Sequence, residues 1–238
     1  MTRCRCGAND CILCEASLEG FLTAAQVCQM QGVVSHRTYA CGSVLFREGT
    51  PGERLHVLRE GYVKLMTGSA DGHEQVLGLA ARNRLLGFET LYEPRYPYTG
   101  QAVTHVMTCS IRRADMVRVL EMNPSVSHRM LAYMNEELER ARTLIRDLGL
   151  KDASGRIASF LLSLITPRDE RPVRVSVPLS REEIAQMLGL ATETVSRTLS
   201  EMARKGLIER HSPTDIVLTE IERIEALAHG RSGESVGA

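Results

Sequence analysis

The chain contains no tryptophan and only six tyrosines and four phenylalanines among its 238 residues. So few aromatic side chains disfavour a protein that binds carbohydrates or aromatic ligands. The chain also lacks an excess of either charge, because 29 basic residues balance 29 acidic ones. This balance excludes a global attraction to nucleic acid, so any nucleic-acid site must arise from local geometry and not from a basic tail.

Long apolar segments and catalytic motifs are missing as well. No run of 18 apolar residues occurs. The N-terminal residues Arg3 and Arg5 are not followed by the apolar stretch that a signal peptide requires. We therefore expect a cytoplasmic protein that does not associate with membranes. The sequence has neither a phosphate-binding Gly-Lys loop nor a G-x-S-x-G nucleophile motif, so we expect no enzymatic activity.

Short apolar runs interrupted by glycines fill the first half of the chain, from about Thr38 to Ile111. Apolar runs that are regularly interrupted by glycines are typical of the short strands of a β-roll or barrel. The length of the chain is sufficient for two domains that each bury a core without disulfides.

A second pattern follows the predicted strands. Apolar residues recur at alternating steps of three and four over residues 124–150, namely at Leu131, Met134, Leu138, Ala141, Ile145 and Leu148. This spacing predicts a long helix with one apolar seam. The seam can pack against the chain's own β-roll, or it can pair with a second copy in a two-fold dimer, which is the arrangement we expect.

Two short helices joined by a tight turn are predicted near the C-terminus. Ser180 and Glu183 form a capping box, and Gly189 ends the first helix. Thr192 is placed to cap the second helix, whose inward stripe contains Val195, Leu199 and Met202. A β-hairpin wing follows, with strands at residues 207–210 and 216–218. This layout is that of a winged helix-turn-helix, which places its second helix in the major groove of DNA.

The outward face of the second helix carries polar side chains, namely Thr192, Glu193, Ser196, Arg197, Ser200 and Arg204. Arg197 can donate two hydrogen bonds to guanine, Glu193 can accept one from cytosine, and Ser196 can do either. The alternative is that Glu193 and Arg197, four residues apart, form only a solvated surface pair.

The stretch LSREEIAQMLGLATETVSRTL at residues 179–199 closely resembles the helix-turn-helix signature of the Crp/Fnr regulators. The resemblance extends to the strand-turn segments Phe46–Gly49 and Leu58–Gly61 and to the long helix. It implies an α+β fold in which a cyclic-nucleotide-binding-like β-roll precedes a dimerisation helix and a winged helix-turn-helix. It also implies a homodimer that binds a palindromic operator on double-stranded DNA and contacts RNA polymerase, to activate or repress. The pattern of Glu193, Ser196 and Arg197 is similar to the Fnr branch, whose half-site resembles TTGAT.

These observations define five expected segments. They are a cysteine-rich segment at 1–20, a β-roll sensor domain at 21–123, a dimerisation helix at 124–150, a winged helix-turn-helix domain at 151–229 and a disordered tail at 230–238.

The sensor departs from the cyclic-nucleotide members of the family. Those members hold phosphate with an adjacent Arg-Ser or Arg-Thr pair after a Gly-Glu turn. Here the residues after Glu89 include Arg95, Tyr96 and Tyr98 without such a pair, so Arg95 alone is left as a candidate for an anionic ligand.

Four cysteines lie close together at the N-terminus, at Cys4, Cys6, Cys11 and Cys14. In a reducing cytosol such a group indicates metal ligands or redox thiols before disulfides. The arrangement resembles oxygen-sensing Fnr proteins, and this resemblance implies a [4Fe-4S] cluster held by Cys6, Cys11, Cys14 and the distant Cys109, with Cys4 as the alternate for Cys6. The spacing departs from the usual one of that branch and leaves a [2Fe-2S] cluster or structural zinc open. The isolated Cys28 and Cys41 are expected to be small core residues.

Two other functions remain open from the sequence. A haem-bound gas sensor would use cysteine or histidine ligands such as His36, His56 or His105, although no C-x-x-C-H motif occurs. The chain could instead be an iron-sulfur redox protein, but that function would give no role to the polar residues on the outward face of the second helix. For the Fnr-like alternative we expect the cluster to tie the N-terminal loop to the β-roll and to set the packing of the long helix. Because Ala141 keeps the seam apolar, control is expected to act on the orientation of the subunits and not on their association.

Overall fold

A computed structural model describes residues 33–69, 71–165 and 172–230. Its contacts divide the chain into two compact units, residues 1–137 and residues 138–238. The strands are β1 (Val34–Tyr39), β2 (Val44–Phe46), β3 (Arg54–Glu60), β4 (Val63–Gly68), β5 (Glu74–Ala80), β6 (Leu85–Leu86), β7 (Thr99–Ala102), β8 (Val106–Arg112), β9 (Val173–Ser176), β10 (Ile208–Ser212) and β11 (Asp215–Leu218). The helices are α1 (Arg113–Met122), α2 (Pro124–Leu150), α3 (Ala153–Ser163), α4 (Arg181–Leu188), α5 (Thr192–Arg204) and α6 (Ile221–Ala228), and a short 3₁₀ helix spans Phe88–Leu91. The predicted α+β class is confirmed.

Two four-stranded sheets form the β-roll of the first unit. Their strand orders are β1-β8-β3-β6 and β2-β7-β4-β5, and the paired strands are antiparallel. Gly61 makes the turn from β3 to β4 with φ 82°, and a Cβ there would clash with the carbonyl oxygen of His105. This turn therefore requires glycine both for its left-handed backbone and for lack of space.

Strand β3 is buried on both of its faces and separates two apolar clusters. Its residues Leu55 and Val57 belong to the cluster beneath α1 and α2, whereas Leu58 belongs to the cluster between the two sheets. Alternate side chains of a strand point to opposite faces, so a single run of apolar residues serves both cores. The sheet that contains β3 is thus covered by helices on one side and by the second sheet on the other.

Helix α2 occupies residues 124–150, the range predicted for the long helix. Its residues Val126, Met130 and Tyr133 pack into the cluster beneath the helices. The predicted seam lies on other positions of the helix, and three of its members are exposed large apolar side chains, at 65% for Leu131, 48% for Leu138 and 69% for Ile145.

The remaining seam residues differ from one another. Met134 packs against the same cluster as Tyr133, so at this position the alternative of packing on the chain's own β-roll applies. Leu148 is half-buried and Ala141 is exposed.

The second unit contains a three-stranded sheet in the order β10-β11-β9 and the helices α3 to α6. The hairpin of β10 and β11 is the predicted wing. Strand β9 spans Val173–Ser176 and ends before Pro178, which has no N–H to donate to a neighbouring strand.

One cysteine prediction is wrong and several residues cannot be placed. Cys41 is exposed in the turn before β2, where its thiol donates a hydrogen bond to the carbonyl oxygen of Val103 at 3.3 Å, so it is not a core residue. Outside the described residues lie Cys4, Cys6, Cys11, Cys14, Cys28 and residues 231–238. Among the helices that are described, none is long and apolar enough to cross a bilayer.

Tyr133 fastens α2 to the β-roll by its hydroxyl group. The hydroxyl accepts from the N–H of Leu85 at 2.9 Å and donates to the carbonyl oxygen of the same residue at 3.1 Å. Tyr133→Phe removes both hydrogen bonds and leaves a buried N–H unpaired, so we expect a loss of about 1–3 kcal/mol in the free energy of unfolding, measured by urea denaturation. The control Tyr92→Phe changes a side chain that is 90% exposed and should have no effect. Equal stability of the two variants would contradict this role.

His56 makes the stability of the β-roll depend on pH. Burial, with smaller contributions from Arg37 and Arg54, lowers the pKa of His56 from 6.5 to about 4. The folded state therefore holds the neutral imidazole, whose stabilisation is complete above pH 6.5 and is lost as the pH falls towards 4. Between pH 6.5 and pH 4 we expect the free energy of unfolding of the wild type to fall by about 3 kcal/mol more than that of His56→Gln. Denaturation at each pH measures both free energies. His73→Gln, at a side chain that is 87% exposed, is the control and should follow the wild type. A His56→Gln curve parallel to the wild type would contradict the prediction.

Candidate nucleic-acid interface and sensor site

Helix α4 begins and ends at the predicted residues. The side chain of Ser180 accepts from the N–H of Glu183 at 3.1 Å, and the carboxylate of Glu183 accepts from the N–H of Ser180 at 2.7 Å. This is the predicted capping box, which satisfies two N–H groups that the helix itself cannot. At the other end Gly189 adopts φ 60°, which turns the chain towards α5.

Helix α5 begins at Thr192, the residue that was expected to cap it, and therefore one residue earlier than predicted. Thr192 is the first helical residue, the cap position is held by Ala191, and no side chain caps this end. The prediction that Thr192 caps the helix is therefore wrong, because its backbone is already helical. The predicted inward stripe is buried, with Val195 at 0%, Leu199 at 2% and Met202 at 3% exposure.

The polar face of α5 points to solvent. Exposed positions on it are Glu193, Ser196, Arg197, Ser200 and Arg204, while Thr192 is half-buried. Ser200 donates its hydroxyl proton to the carbonyl oxygen of Ser196 at 2.9 Å. Within the described part of this helix, no ion pair joins Glu193 to Arg197. The carboxylate that forms an ion pair on this helix is that of Glu201, which lies 2.9 Å from the Nζ of Lys205. The carboxylate of Glu193 and the guanidinium of Arg197 thus remain available for bases.

The wing adds basic side chains that the sequence analysis did not single out. Arg210 and His211 lie exposed on β10, where they line a shallow groove together with Ala203 of α5. Arg181, the first residue of α4, donates to the carbonyl oxygen of Pro213 at the tip of the wing at 3.3 Å. Burial, and then the neighbouring Arg210, lower the pKa of Arg181. Basic residues within the hairpin were the signal that could have identified this second surface.

A pair of oppositely charged residues fixes the position of the wing. The Nε of Arg174 in β9 donates to Oδ1 of Asp215 in β11 at 2.7 Å, and its Nη2 bonds the other carboxylate oxygen. Hydrogen bonding to Arg174 lowers the pKa of Asp215. Two parallel bonds of this kind define an orientation as well as a contact.

The interior of the β-roll is filled by the chain's own aromatic rings. Phe46 and Tyr96 stack with ring centroids 4.3 Å apart, and Tyr98 lies 5.7 Å from Phe46. The hydroxyl of Tyr98 donates to the carboxylate of Glu89 at 3.0 Å, and burial raises the pKa of that carboxyl. Arg95, the candidate for an anionic ligand, donates to the carbonyl oxygen of Gly49. The segment expected to hold phosphate is thus occupied by aromatic groups and internal hydrogen bonds.

Cys109 lies on β8 in the middle of the sheet that carries α1 and α2. It is 2% exposed and belongs to the same cluster as Met130 and Tyr133 of α2. Its cross-strand partner is His36 on β1, and its Sγ lies 3.6 Å from the Nδ1 of His36. His36 is exposed, so this part of the sheet reaches the surface. Cys109 is the one predicted cluster ligand within the described residues.

The other histidines considered for haem do not join Cys109. Nδ1 of His56 lies 2.9 Å from the hydroxyl of Ser110, and its ring stacks on Phe46 at 5.8 Å. His105 lies exposed in the loop before β8. Within residues 33–69, 71–165 and 172–230, no group of three or more His, Cys, Asp or Glu side chains could hold a metal ion.

Similarity to known proteins covers both parts of this architecture. A cyclic nucleotide-binding domain matches residues 36–123, and a Crp-like helix-turn-helix domain matches residues 155–227. One relative is the CRP-like cAMP-activated global transcriptional regulator of Mycobacterium tuberculosis, to which the chain is 30% identical over 188 residues. These residues cover 77% of this chain and 83% of that protein. It is 28% identical to the transcriptional activator protein FnrL of Cereibacter sphaeroides, over 92% of this chain and 90% of that protein. The solved structure of FixK2 from Bradyrhizobium japonicum has a TM-score of 0.75 and 25% identity, covering 87% of this chain and all of that one (100%).

A β-roll, a long helix and a winged helix-turn-helix define a DNA-binding transcription regulator and not an enzyme. The chain belongs to the Crp/Fnr family, as the sequence resemblance implied.

We predict that Arg197, exposed on the polar face of α5, recognises a guanine of the operator. Arg197→Ala removes a bidentate donor, so we expect the preference for the cognate base at one operator position to fall by about 1–3 kcal/mol, measured as the ratio of Kd values for matched and mismatched duplexes. Arg223→Ala changes an exposed arginine on α6 and should preserve that ratio. An unchanged ratio for Arg197→Ala would remove the assignment.

Proposed function

We propose that this regulator controls anaerobic or redox-responsive genes through an oxygen-labile [4Fe-4S] cluster bound by Cys6, Cys11, Cys14 and Cys109, with Cys4 as the alternate for Cys6. The names of two relatives, transcriptional activator protein FnrL and transcriptional activator protein Anr, support an activator of this branch. In the cytoplasm it would act as a homodimer on a palindromic operator with TTGAT-type half-sites and would contact RNA polymerase.

The position of Cys109 is the observation that carries this proposal. Thiolate sulfur is the donor that iron-sulfur clusters require. The thiol of Cys109 lies on a central strand, next to the exposed His36, where a sulfur-rich segment from elsewhere in the chain can approach it. A bound cluster supplies reactivity towards oxygen or nitric oxide, and the residues of the chain supply the connection to DNA binding.

That connection starts in the buried cluster beneath the helices. Cys109 shares this cluster with Val126, Met130 and Tyr133 of α2. Well-packed cores transmit small displacements, since they contain few voids that could absorb them. A change in how Cys109 is held therefore shifts α2, and linkage requires that the cluster-bound and DNA-bound states favour each other by the same free energy.

The exposed seam of α2 supports the proposed dimer. Leu131, Leu138 and Ile145 recur every seven residues, which is the period at which one helix face meets a parallel partner. Ala141 lies between them and adds no charge to the seam. Because the seam is apolar throughout, the subunits stay associated without the cluster, and the signal changes their relative orientation.

Cyclic nucleotide is not the expected effector. The carboxylate of Glu89 is already bonded to Tyr98, and Phe46 and Tyr96 are stacked inside the roll. A nucleotide would have to displace these buried groups, which would leave the Glu89 carboxylate without its partner.

A zinc or haem site is the second candidate, and the contact between Cys109 and His36 is the observation that favours it. Zinc binds cysteine sulfur and histidine nitrogen together, and haem iron accepts either residue as an axial ligand. His36 and Cys109 supply one donor of each kind, 3.6 Å apart.

Anaerobic purification followed by iron and sulfide analysis tests the cluster. The wild type should contain about four iron and four sulfide per subunit and lose its visible absorbance in air. Cys109→Ser should lose most of this iron because an alcohol replaces the thiolate ligand. Cys41→Ser, at the exposed thiol, is the matched control and should retain it.

Iron-free protein with full operator binding would refute cluster control. A Soret band would indicate haem and stoichiometric zinc would indicate a zinc site, and either result would favour the second candidate.

A further inference from the structure

Three helices of the second unit meet at the side chain of Arg156. Arg156 lies in the first turn of α3 and is half-buried. Its Nη2 donates to the carbonyl oxygen of Leu148 at 2.6 Å, in the last turn of α2. Its Nη1 donates to the carbonyl oxygens of Leu188 at 3.0 Å and Gly189 at 3.3 Å, at the end of α4.

A fourth bond holds the guanidinium in its own turn. Nε donates to the carbonyl oxygen of Lys151, which lies between α2 and α3, at 3.0 Å. All three guanidinium nitrogens of Arg156 are thus engaged by main-chain carbonyl groups. A planar, permanently charged fork with five N–H donors can satisfy such an arrangement, and lysine cannot reproduce it.

The carbonyl groups that Arg156 binds are those that helices leave unpaired. The last four carbonyl groups of a helix have no partner inside it, and they form the negative end of the helix dipole. Arg156 brings one positive charge to the C-terminal ends of both α2 and α4. These two ends would otherwise repel each other and would leave carbonyl oxygens unsatisfied in a partly buried junction.

The junction is tightly packed and lies directly before the helix that faces DNA. Gly189 separates α4 from the residues that lead to Thr192, where α5 begins. A Cβ at Gly189 would lie 3.4 Å from the Cδ2 of Leu148 and 3.5 Å from the Nη1 of Arg156. The position of α5 relative to the end of α2 is therefore determined at this junction.

We propose that Arg156 is a positioning residue that sets the angle between α2 and α5, and thereby the spacing of operator half-sites that the dimer accepts. This inference rests on the proposed function as a dimeric operator-binding regulator. In a two-fold dimer built on α2, the angle at each junction determines the distance between the two α5 helices. Half-sites about one helical turn apart, roughly 34–36 Å, are matched only when this distance is fixed.

A neighbouring ion pair provides a control at the same junction. The Nζ of Lys151 lies 2.7 Å from the Oδ2 of Asp147 and donates to the hydroxyl of Ser159 at 2.7 Å. These partners lie on α2 and α3, and none of them belongs to α4. Lys151→Met should therefore destabilise the junction without releasing α4.

The experiment measures the spacing preference of the full-length protein. Duplexes that carry two inverted copies of the half-site selected by the wild type are prepared with central spacers that differ by one base pair. Kd is measured for each duplex with the wild type, Arg156→Met and Lys151→Met, and thermal unfolding is recorded for all three. The wild type should prefer one spacing over its neighbours.

We expect Arg156→Met to reduce that preference at least tenfold, while binding to a duplex with a single half-site changes little. Lys151→Met should unfold at a lower temperature and keep the wild-type preference. A role of Arg156 in stability alone would lower all affinities together, and an unchanged spacing preference in Arg156→Met would overturn the proposal. If Arg156→Met does not fold, Arg156→Lys replaces it, because lysine keeps the charge but cannot bridge both helix ends. A wild type without sequence-specific binding would instead refute the proposed function.

Discussion

Helix α2 is constrained by its two apolar faces, and most of the architecture depends on how each is covered. Val126, Met130 and Tyr133 close the sheet that contains Cys109. Leu131, Leu138 and Ile145 remain exposed on the same helix. An apolar stripe of this length is costly in water, which is the physical reason to expect a second copy against it. One face of the helix therefore belongs to the core of its own subunit, and the other is the face we expect a second copy to cover.

Each end of α2 is held by a different kind of contact. Near its start, apolar packing and the hydroxyl of Tyr133 attach it to the β-roll. At its C-terminus, the guanidinium of Arg156 attaches the carbonyl of Leu148 to the end of α4. Packing resists compression but allows small sliding, whereas directed hydrogen bonds define an angle. The start of α2 is thus held by packing, and its C-terminus by directed hydrogen bonds.

The sequence predicted most of the elements that depend on local chemistry, the cap of α5 at Thr192 excepted, and missed contacts between residues that are distant in the sequence. The capping box at Ser180, the turn at Gly189 and the buried stripe of α5 follow from neighbouring residues, and the structure contains all three. Cys41 was misplaced because an isolated small residue in a strand-like context does not reveal whether it lies in a strand or, as here, in the turn before β2. The sequence did not point to Arg156, because its partners are main-chain carbonyl groups, which every residue has. The role of Cys6, Cys11 and Cys14 remains a prediction, because these residues lie outside the described part of the chain.

The filled interior of the β-roll determines where a signal can enter the first unit. The carboxylate of Glu89 is bonded to Tyr98, and Phe46 stacks on Tyr96, so the space between the two sheets is occupied by groups that support one another. Opening this space would expose apolar rings and break buried hydrogen bonds, both of which cost free energy. On the opposite face of the sheet, by contrast, Cys109 lies beside the exposed His36 and within the cluster that holds α2. In the proposed function a stimulus at Cys109 needs no cavity, because Cys109 packs directly against residues of α2.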